Sequence, residues 1–318
     1  MIKKEYTHLV KPVIVQKGPE GLYPEPRIWM EGKDLEGFNA NISYGFIKKP
    51  SVFHPAEGSL IHPYDECLVF AGTNKANVLY LGAEVSIELG EEREEHVFTE
   101  PSVVVIPKGT PHGPVKVRKV DKTIVHYSIG LAADYKAAPV PAKTGTPKTS
   151  DLKYGHLVKK LITRYESHAA GNAGNAIRKS VKVWDGILRP AKNGMGPGNG
   201  DQIVWLYGED LEGFNVNFTW GFFSQCGKWH RGGEAHTHPE EEILCFVGFD
   251  PDDLNYLGAE LELGLGKDYE RHIYNTPTVV VCPAGFPHLP LITRWVDKPY
   301  GFFVICLSGE HASPWVEA

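Results

Sequence analysis

The chain repeats its own sequence at a constant offset of 176 residues. GKDLEGFNANISYGFI from Gly32 matches GEDLEGFNVNFTWGFF from Gly208, and PSVVVIPKGTPH from Pro101 matches PTVVVCPAGFPH from Pro277. The two offsets are equal (208 − 32 = 277 − 101 = 176), so the stretch between these segments aligns without an insertion or deletion. A repeat of this kind indicates duplicated structural units. We therefore expect two similar domains within the 318 residues.

A shorter echo has a different offset. YTHLVKP from Tyr6 matches YGHLVKK from Tyr154 at 148 residues, so the second copy carries 28 extra residues (176 − 148). The insertion falls within 166–200, where Gly and Asn clusters predict loops around a short strand at 177–184. It could form a lid or an intersubunit arm, or be a surface excursion without a chemical role.

Within each copy the apolar pattern is that of β-strands. In FNVNFTWGFF from Phe214, apolar and polar residues alternate, and further short apolar runs follow between Gly, Pro and Asn turns. Amphipathic segments of helix length are nearly absent. We expect an all-β fold of two tandem antiparallel jelly-roll barrels with few short helices. The predicted domains are 1–132 and 177–318, with a linker and the start of the insertion at 133–176.

Charge and composition exclude several classes of partner. The net charge is −6 and Lys and Arg are scattered, which argues against a nucleic-acid partner. No apolar stretch approaches the roughly 20 residues that span a bilayer, and the N-terminus lacks the apolar segment of a signal peptide. We therefore expect a cytoplasmic protein without a membrane partner. The 5 cysteines are an odd number in apolar contexts, so we expect buried free thiols.

The second copy contains a cluster of metal-binding residue types in EAHTHPEEEILCFVG from Glu234. His236 and His238 are two apart, so both imidazoles project from one face of an extended strand, as Glu242 does if the pairing keeps that parity. His288 follows a separate strand, after a Pro-Gly turn that can direct it inward. Three imidazoles and one carboxylate suit a divalent first-row metal.

These segments resemble the cupin superfamily, and the duplication resembles its two-domain members, the bicupins. Residues 236–248 fit the first cupin motif, H-x-H followed by Glu and a later Gly, and residues 283–288 fit the second, P-x-G-x-x-H. The resemblance covers both copies and implies these metal ligands: His236, His238, Glu242 and His288. It also implies one divalent transition metal per chain, chosen from Fe, Mn, Ni, Co and Zn.

One departure from the first motif introduces a candidate catalytic residue. His230 stands where the family usually has a glycine, and its counterpart in the first copy is His54 (230 − 176). A histidine kept in both copies could act as an acid or base or as a hydrogen-bond donor to the substrate; it could also be a partly buried structural residue. The predicted catalytic residues are Glu242 and His230.

The first copy lacks one ligand of this set. Leu60 stands where the second copy has His236, while His62, Glu66 and His112 are kept. Two histidines and a carboxylate could still form a triad with open positions. Because the leucine removes a strong ligand, we expect a vestigial or weakly metallated site in this barrel.

The predicted function is that of a metal-dependent enzyme acting on a small oxygenated substrate, a diketone, hydroxy-acid or phenolic compound. The resemblance favours a dioxygenase. An O2-independent hydrolase, isomerase or lyase on the same substrate class is the first alternative, because the same Lewis-acid chemistry serves it. A non-catalytic ligand-binding or storage cupin is the second. The expected partner is the small-molecule substrate, and association into a homo-oligomer is left open.

Overall fold

The structure, a computed structural model, describes residues 4–141, 145–161, 183–184, 187–188, 200–228 and 235–312. Within these ranges the helices are short 3₁₀ turns of no more than four residues: Thr7–Leu9, Gly32–Asp34, Gly155–Leu157 and Gly208–Leu211. All other regular structure is β-strand, so the predicted all-β class is confirmed.

The strands of the first part of the chain are β1 Val10–Pro12, β2 Val15–Gln16, β3 Arg27–Met30, β4 Asn41–Ile47, β5 Ser51–Phe53, β6 Ser59–Ile61, β7 Glu66–Gly72, β8 Ala83–Leu89, β9 Glu94–Phe98, β10 Ser102–Ile106, β11 His112–Val120, β12 Ile124–Gly130, β13 Ala138–Val140 and β14 Val158–Lys160. Those of the second part are β15 Val183–Trp184, β16 Ile187–Leu188, β17 Gly200–Leu206, β18 Asn217–Phe223, β19 Gly227–Lys228, β20 Glu242–Gly248, β21 Ala259–Leu265, β22 Glu270–Tyr274, β23 Thr278–Cys282, β24 His288–Val296 and β25 Tyr300–Cys306.

Seven strands of the two copies coincide when the sequence is shifted by the repeat. The pairs are β4 and β18, β7 and β20, β8 and β21, β9 and β22, β10 and β23, β11 and β24, and β12 and β25. Both ends of every pair differ by 176 residues, as in 217 − 41 and 223 − 47 for the first pair. The duplication seen in the sequence is therefore a duplication of the fold.

Each compact unit is built from two antiparallel sheets. One unit has the sheets β14-β10-β7-β12-β4-β3-β2 and β13-β6-β11-β8-β9, with β5 also on β11; the other has β1-β23-β20-β25-β18-β17-β16-β15 and β19-β24-β21-β22. Neighbouring strands along these orders run antiparallel, and the apolar core of each unit draws residues from both of its sheets. The predicted jelly-roll barrels are confirmed.

Two short edge strands, β1 and β14, each belong to the unit that is formed mainly by the other copy. The unit containing 162–318 also contains 1–13, and β1 pairs with β23, Val10 opposite Val280. In the other unit, Ile14–Asn74 with Val78–Leu161, β14 pairs with β10, Lys160 opposite Ser102. The short echo at offset 148 therefore corresponds to two equivalent edge strands, each of which precedes one copy's barrel in the chain and pairs with the other copy's. The domain limits drawn from the sequence remain predictions.

One glutamate in each unit binds the backbone just before the exchanged strand. The carboxylate of Glu270 accepts hydrogen bonds from the N–H groups of Glu5 (2.7 Å) and Tyr6 (3.0 Å). Glu94, its counterpart, accepts from the N–H groups of residues 153–154 at 2.7 and 3.0 Å. Burial would raise the pKa of both carboxyls, but these donors lower it below its ordinary value. Both carboxyl groups are therefore ionised while they bind the exchanged segments.

The apolar and polar residues that alternate along β18 do not separate a buried face from a solvent-exposed one. Every residue of β18 is buried, and Asn217 accepts a hydrogen bond from the indole N–H of Trp205 at 3.0 Å. The polar residues are thus inside and hydrogen-bonded, as buried polar groups require. The cysteines are free as predicted, but Cys226 is exposed, so the expectation that all are buried is wrong at that position.

Some expectations fall outside what the structure describes. His230 lies outside the described residues, as does most of the insertion with its predicted strand at 177–184, of which only Val183–Trp184 is assigned. None of the described helices has the length and apolar character needed to cross a membrane.

Candidate metal centres

His236 and His288 meet through their backbones in the second barrel. Each donates its N–H to the other's carbonyl at 3.1 Å, an isolated antiparallel bridge at the start of β24. The turn before β24 contains Gly285, whose positive φ of 73° suits glycine and whose N–H donates to the carbonyl of His238 at 2.6 Å. The Pro-Gly turn therefore fixes His288 beside the H-x-H segment, as its spacing predicts.

The outer ring nitrogens of two histidines are engaged by carbonyl oxygens. His238 Nδ1 lies 2.8 Å from the carbonyl of Ala312, and His288 Nδ1 lies 3.2 Å from that of Phe286. A carbonyl can only accept, so both Nδ1 atoms carry hydrogen and both Nε2 atoms face inward. Such outer partners orient metal-binding histidines and fix their tautomer.

Glu242 begins β20 and lies between these two histidines. Its Oε1 is 3.3 Å from His238 Nε2, and its Oε2 is 2.9 Å from His288 Nε2. Burial would raise the pKa of Glu242, but the two histidines hold it well below its ordinary value. Burial would likewise lower the pKa of His288, but Cys282 and Glu242 raise it to about 10. Glu242 is therefore an anion in an apolar interior.

The three histidine rings converge beside this carboxylate. The ring centroid of His236 lies 4.6 Å from that of His238 and 4.5 Å from that of His288, and the last two are 5.0 Å apart. The ring nitrogens of His236, His238 and His288 form one group of possible ligands, and Glu242 and His288 form a second group with the thiol of Cys282. The predicted residues therefore lie side by side, and their imidazole and carboxylate donors suit a divalent first-row metal. Their assignment as ligands stays a prediction.

Two further ionisable residues join this site that the sequence analysis missed. His311 Nδ1 lies 3.1 Å from Glu240 Oε1, and the His311 ring is 4.6 Å from that of His238. Both side chains are buried. At the equivalent positions the first copy has Tyr64 and Tyr135 (240 − 176 and 311 − 176), so comparison of the copies was the available signal.

A pocket opens onto this cluster and has largely apolar walls. It is lined by the four predicted ligands and His311, and by apolar side chains: Trp205, Leu244, Leu289, Leu291, Phe302 and Val304. The backbone of Leu289 has a φ of 91°, in the left-handed region that side chains rarely adopt. Apolar walls exclude water and so strengthen electrostatic interactions inside the pocket.

In the first barrel Leu60 occupies the backbone position of His236. It pairs with His112 on β11, and its side chain packs with Leu22 and Trp29 in a small apolar cluster. Substitution of the ligand has therefore left the strand pairing unchanged. The leucine side chain belongs to the packed core instead of the polar cluster.

His54 joins the three ligand-type residues that the first barrel keeps. Its Nε2 lies 3.4 Å from Glu66 Oε2, as does that of His62, and the Nε2 of His112 lies 3.5 Å away. In the sequence His54 is the counterpart of His230, a predicted catalytic residue, and it is not among the predicted ligands. It follows β5, whose pairing with β11 at Phe53 brings the chain to His112.

Burial and these contacts set opposite pKa shifts in this cluster. Burial lowers the pKa of His54 to about 4, although Glu66 opposes it. Burial would raise the pKa of Glu66, but His54, His112 and His62 hold it well below its ordinary value. The cluster is therefore an anionic carboxylate surrounded by imidazoles, as in the second barrel.

Comparison with known proteins identifies the fold. No protein-family model and no curated protein sequence matches the chain. A point mutant of Bacillus subtilis oxalate decarboxylase matches with a TM-score of 0.55 and 9% identity, over 96% of this chain and 79% of that one. Lactobacillus farciminis oxalate decarboxylase in its formate complex matches with a TM-score of 0.57 and 10% identity, over 96% and 88%.

At this identity the likeness establishes the fold and leaves the chemistry open. The match extends over both copies, so the fold is that of a two-domain cupin and the resemblance found in the sequence is confirmed at that level. Buried His and Glu clusters suited to divalent metals lie in both cupin-like domains.

Proposed function

We propose that this two-domain cupin is a metal-dependent enzyme whose C-terminal barrel acts on a small oxygenated substrate, with dioxygenation as the reaction. The observation that carries the proposal is Glu242 held between His238 and His288 at the end of a pocket with apolar walls. Four ligand-type side chains beside such a pocket favour an enzyme over a storage or ligand-binding cupin.

The ligands in this proposal are the predicted four: His236, His238, Glu242 and His288. When bound there, a divalent ion would supply Lewis-acid activation of two adjacent substrate oxygens and, in a dioxygenase, a position for O2. The remaining steps fall to the chain. Ala312 and Phe286 hold two imidazoles in the tautomer with Nε2 turned inward.

Proton transfer has two candidate groups among the described residues. Glu242 is ionised at neutral pH and is the predicted base, although its lowered pKa makes it a weak one. Burial lowers the pKa of His311, so a neutral imidazole that can accept a proton also lines the pocket. His230 remains a prediction for this role.

The pocket walls favour one kind of substrate within the predicted class. The described lining contains neither Lys nor Arg, so a second carboxylate would be buried without a cationic partner. Trp205, Leu244 and Phe302 suit an apolar or aromatic body. A diketone or phenolic compound, with two chelating oxygens at one end, matches the polarity of these walls better than a dicarboxylate does, but the open space between them is only about 20 Å³ and would have to widen on binding.

An O2-independent lyase is the second candidate. The fold likeness to oxalate decarboxylases favours it, and the Bacillus subtilis enzyme has Mn(II) centres. The same ligand set would serve a decarboxylation without O2. The missing cation in the described pocket lining speaks against oxalate itself as the substrate.

The test is O2 uptake by the full-length protein loaded anaerobically with Fe(II) or Mn(II). A panel of diketones, catechols and hydroxy-acids is assayed beside oxalate, with CO2 release measured in parallel. We expect O2 uptake with an aromatic or diketone substrate, and loss of at least about 100-fold in His236→Leu, because one of four ligands is gone.

His156→Leu is the matched control, since His156 is an exposed histidine in the Gly155–Leu157 turn far in sequence from the ligands. It should retain the wild-type rate. CO2 release without O2 uptake would replace the dioxygenase by the lyase. Activity that survives in His236→Leu would contradict the proposed site.

A further inference from the structure

We propose that the N-terminal barrel holds a second divalent metal ion and that His54 supplies the ligand lost at Leu60. The full ligand set is His54, His62, Glu66 and His112. The proposal goes beyond the reaction assigned to the other barrel and does not depend on it. It replaces the vestigial site expected from the sequence.

The donor atoms already stand at metal-site spacing. The Nε2 atoms of His54, His62 and His112 lie 3.4, 3.4 and 3.5 Å from Glu66 Oε2, and the Nε2 atoms of His54 and His112 are 3.3 Å apart. In a regular tetrahedron with such edges, the centre is about 2.1 Å from each corner, which matches metal–nitrogen and metal–oxygen bonds of about 2.0–2.2 Å.

Two of the imidazoles present lone pairs to this centre because of their outer hydrogen bonds. His62 Nδ1 donates to the carbonyl of Lys136 at 2.7 Å, and His112 Nδ1 donates to that of Thr110 at 3.0 Å. In the neutral ring the other nitrogen, Nε2, then carries a lone pair and no hydrogen. Both lone pairs face Glu66.

A longer chain of hydrogen bonds fixes His54 in the same way. His126 Nδ1 donates to the carbonyl of Val69 (3.0 Å), so its Nε2 accepts from the Tyr23 hydroxyl (3.2 Å). The Tyr23 oxygen in turn accepts from His54 Nδ1 (3.3 Å), which leaves the lone pair of His54 on Nε2. Burial and Arg27 keep His126 neutral by lowering its pKa. The relay therefore turns His54 toward the centre.

Backbone space for His54 is provided at Gly113. Its φ is 88°, and a Cβ there would lie 2.1 Å from the carbonyl oxygen of His54. The equivalent residue in the other barrel is Leu289 (113 + 176), with a similar φ of 91°. In the N-terminal barrel a side chain at 113 would collide with the backbone of His54. Glycine at 113 therefore leaves room for the backbone of His54.

Three imidazole nitrogens and a carboxylate oxygen facing each other in a closed interior suit a cation. The four side chains are 0–1% exposed, so water cannot screen the cluster. Four protein donors with little exposure are typical of closed, structural metal sites, whereas catalytic sites keep a position open. We assign the second ion to holding β5, β6 and β11 together, with no part in turnover.

The experiment measures Mn(II) bound per chain by full-length protein stripped with chelator, using the EPR signal of free Mn(II) and elemental analysis. Wild type should bind about two ions, His236→Leu about one, and the double variant His236→Leu/His54→Leu none. In His236→Leu, added Mn(II) should raise the unfolding temperature, and in the double variant it should not.

Tyr23→Phe tests the relay without removing a ligand. Loss of the hydroxyl that orients His54 should weaken Mn(II) binding in the His236→Leu background about 10- to 100-fold. Tyr135→Phe is the control, because its ring lies 5.2 Å from that of His62 and outside the relay. It should bind as the parent does.

The proposal is overturned if His236→Leu binds no Mn(II) and its unfolding temperature does not respond to the ion. Protons on the imidazoles, without a metal ion, would then balance the negative charge of Glu66. A wild type with one ion and O2 uptake abolished by His236→Leu would leave the function of the C-terminal barrel intact, so the two failures are distinguishable. Equal effects of Tyr23→Phe and Tyr135→Phe would refute the relay.

Discussion

The two barrels share a scaffold and differ in how the space beside the carboxylate is filled. In the C-terminal barrel Phe302 and Val304 form part of an apolar pocket wall. At the same positions of β12 the N-terminal barrel has His126 and Ser128 (302 − 176 and 304 − 176), both buried and hydrogen-bonded. One interior contains a small pocket with largely apolar walls, and the other is occupied by its own polar network.

The comparison shows that the same backbone position can carry a histidine in one barrel and a leucine in the other. Backbone pairing opposite His112 and His288 is the same in both copies, but only one copy has histidine at the paired position. The other draws its third imidazole from the loop after β5. Under the proposed assignment, a barrel can change which segment supplies a ligand without changing its fold, because the donors need only meet at one point.

Glu242→Gln is expected to give the largest break between the barrels. Gln keeps the shape but removes the anion that balances a divalent ion, so metal affinity of the C-terminal barrel should fall about 100-fold or more, and turnover with it. Mn(II) titration and the O2-uptake assay check this. Glu241→Gln, next in the chain and outside the cluster, should change either value less than about twofold. An equal loss of metal affinity and turnover in both variants would show that the effect of Glu242→Gln does not arise at the metal site.

The sequence predicted the fold well because its signals are local. The repeat at 176 residues predicted the duplication that the structure shows as seven strand pairs, and the motif spacing predicted the C-terminal cluster. His54 could not be recognised as a ligand-type residue, since its approach depends on pairing of β5 with β11 and on the space at Gly113. Glu240 and His311 meet only through the tertiary path of the last segment.

The edge strands show a second limit of the sequence. The echo at offset 148 indicated that Tyr6 and Tyr154 begin equivalent segments. It could not indicate that each pairs with the barrel other than the one it precedes, because similarity of two segments carries no information on their partners. Alternation in β18 likewise predicted a strand but not that both of its faces are buried.

Leu60→His is expected to have an intermediate effect, and the sequence and the structure predict different outcomes for it. The sequence alone predicts more metal in the N-terminal barrel, whereas with His54 in place we expect no increase. The new imidazole would be buried among Leu22 and Trp29, at a cost of about 1–3 kcal/mol in the free energy of unfolding. Mn(II) stoichiometry and urea unfolding measure both effects. Added metal without loss of stability would show that the site was short of a ligand.

Glu270→Gln is expected to have the smallest effect, with a defined pH dependence. The folded-state pKa of Glu270 lies below its unfolded value of about 4.3, so its contribution is present above that pH and is lost as the pH falls through the folded value. Urea unfolding should show a loss of less than about 1 kcal/mol at pH 7, since the side chain is partly solvated. The difference from wild type should shrink as the pH falls through the folded-state pKa. A difference that grew on acidification would reverse the assigned sign.

The exchanged edge strands bear on where this chain can be cut. A break in the linker would separate β1 from β23 and β14 from β10, so neither half would carry its own edge strand. Each half would instead hold the strand its counterpart needs, which is the arrangement of a domain-swapped dimer. The duplicated chain thus has the connectivity of such a dimer fused into one polypeptide. A separable single barrel would have to be built by permutation, with the borrowed strand joined to the barrel that it completes.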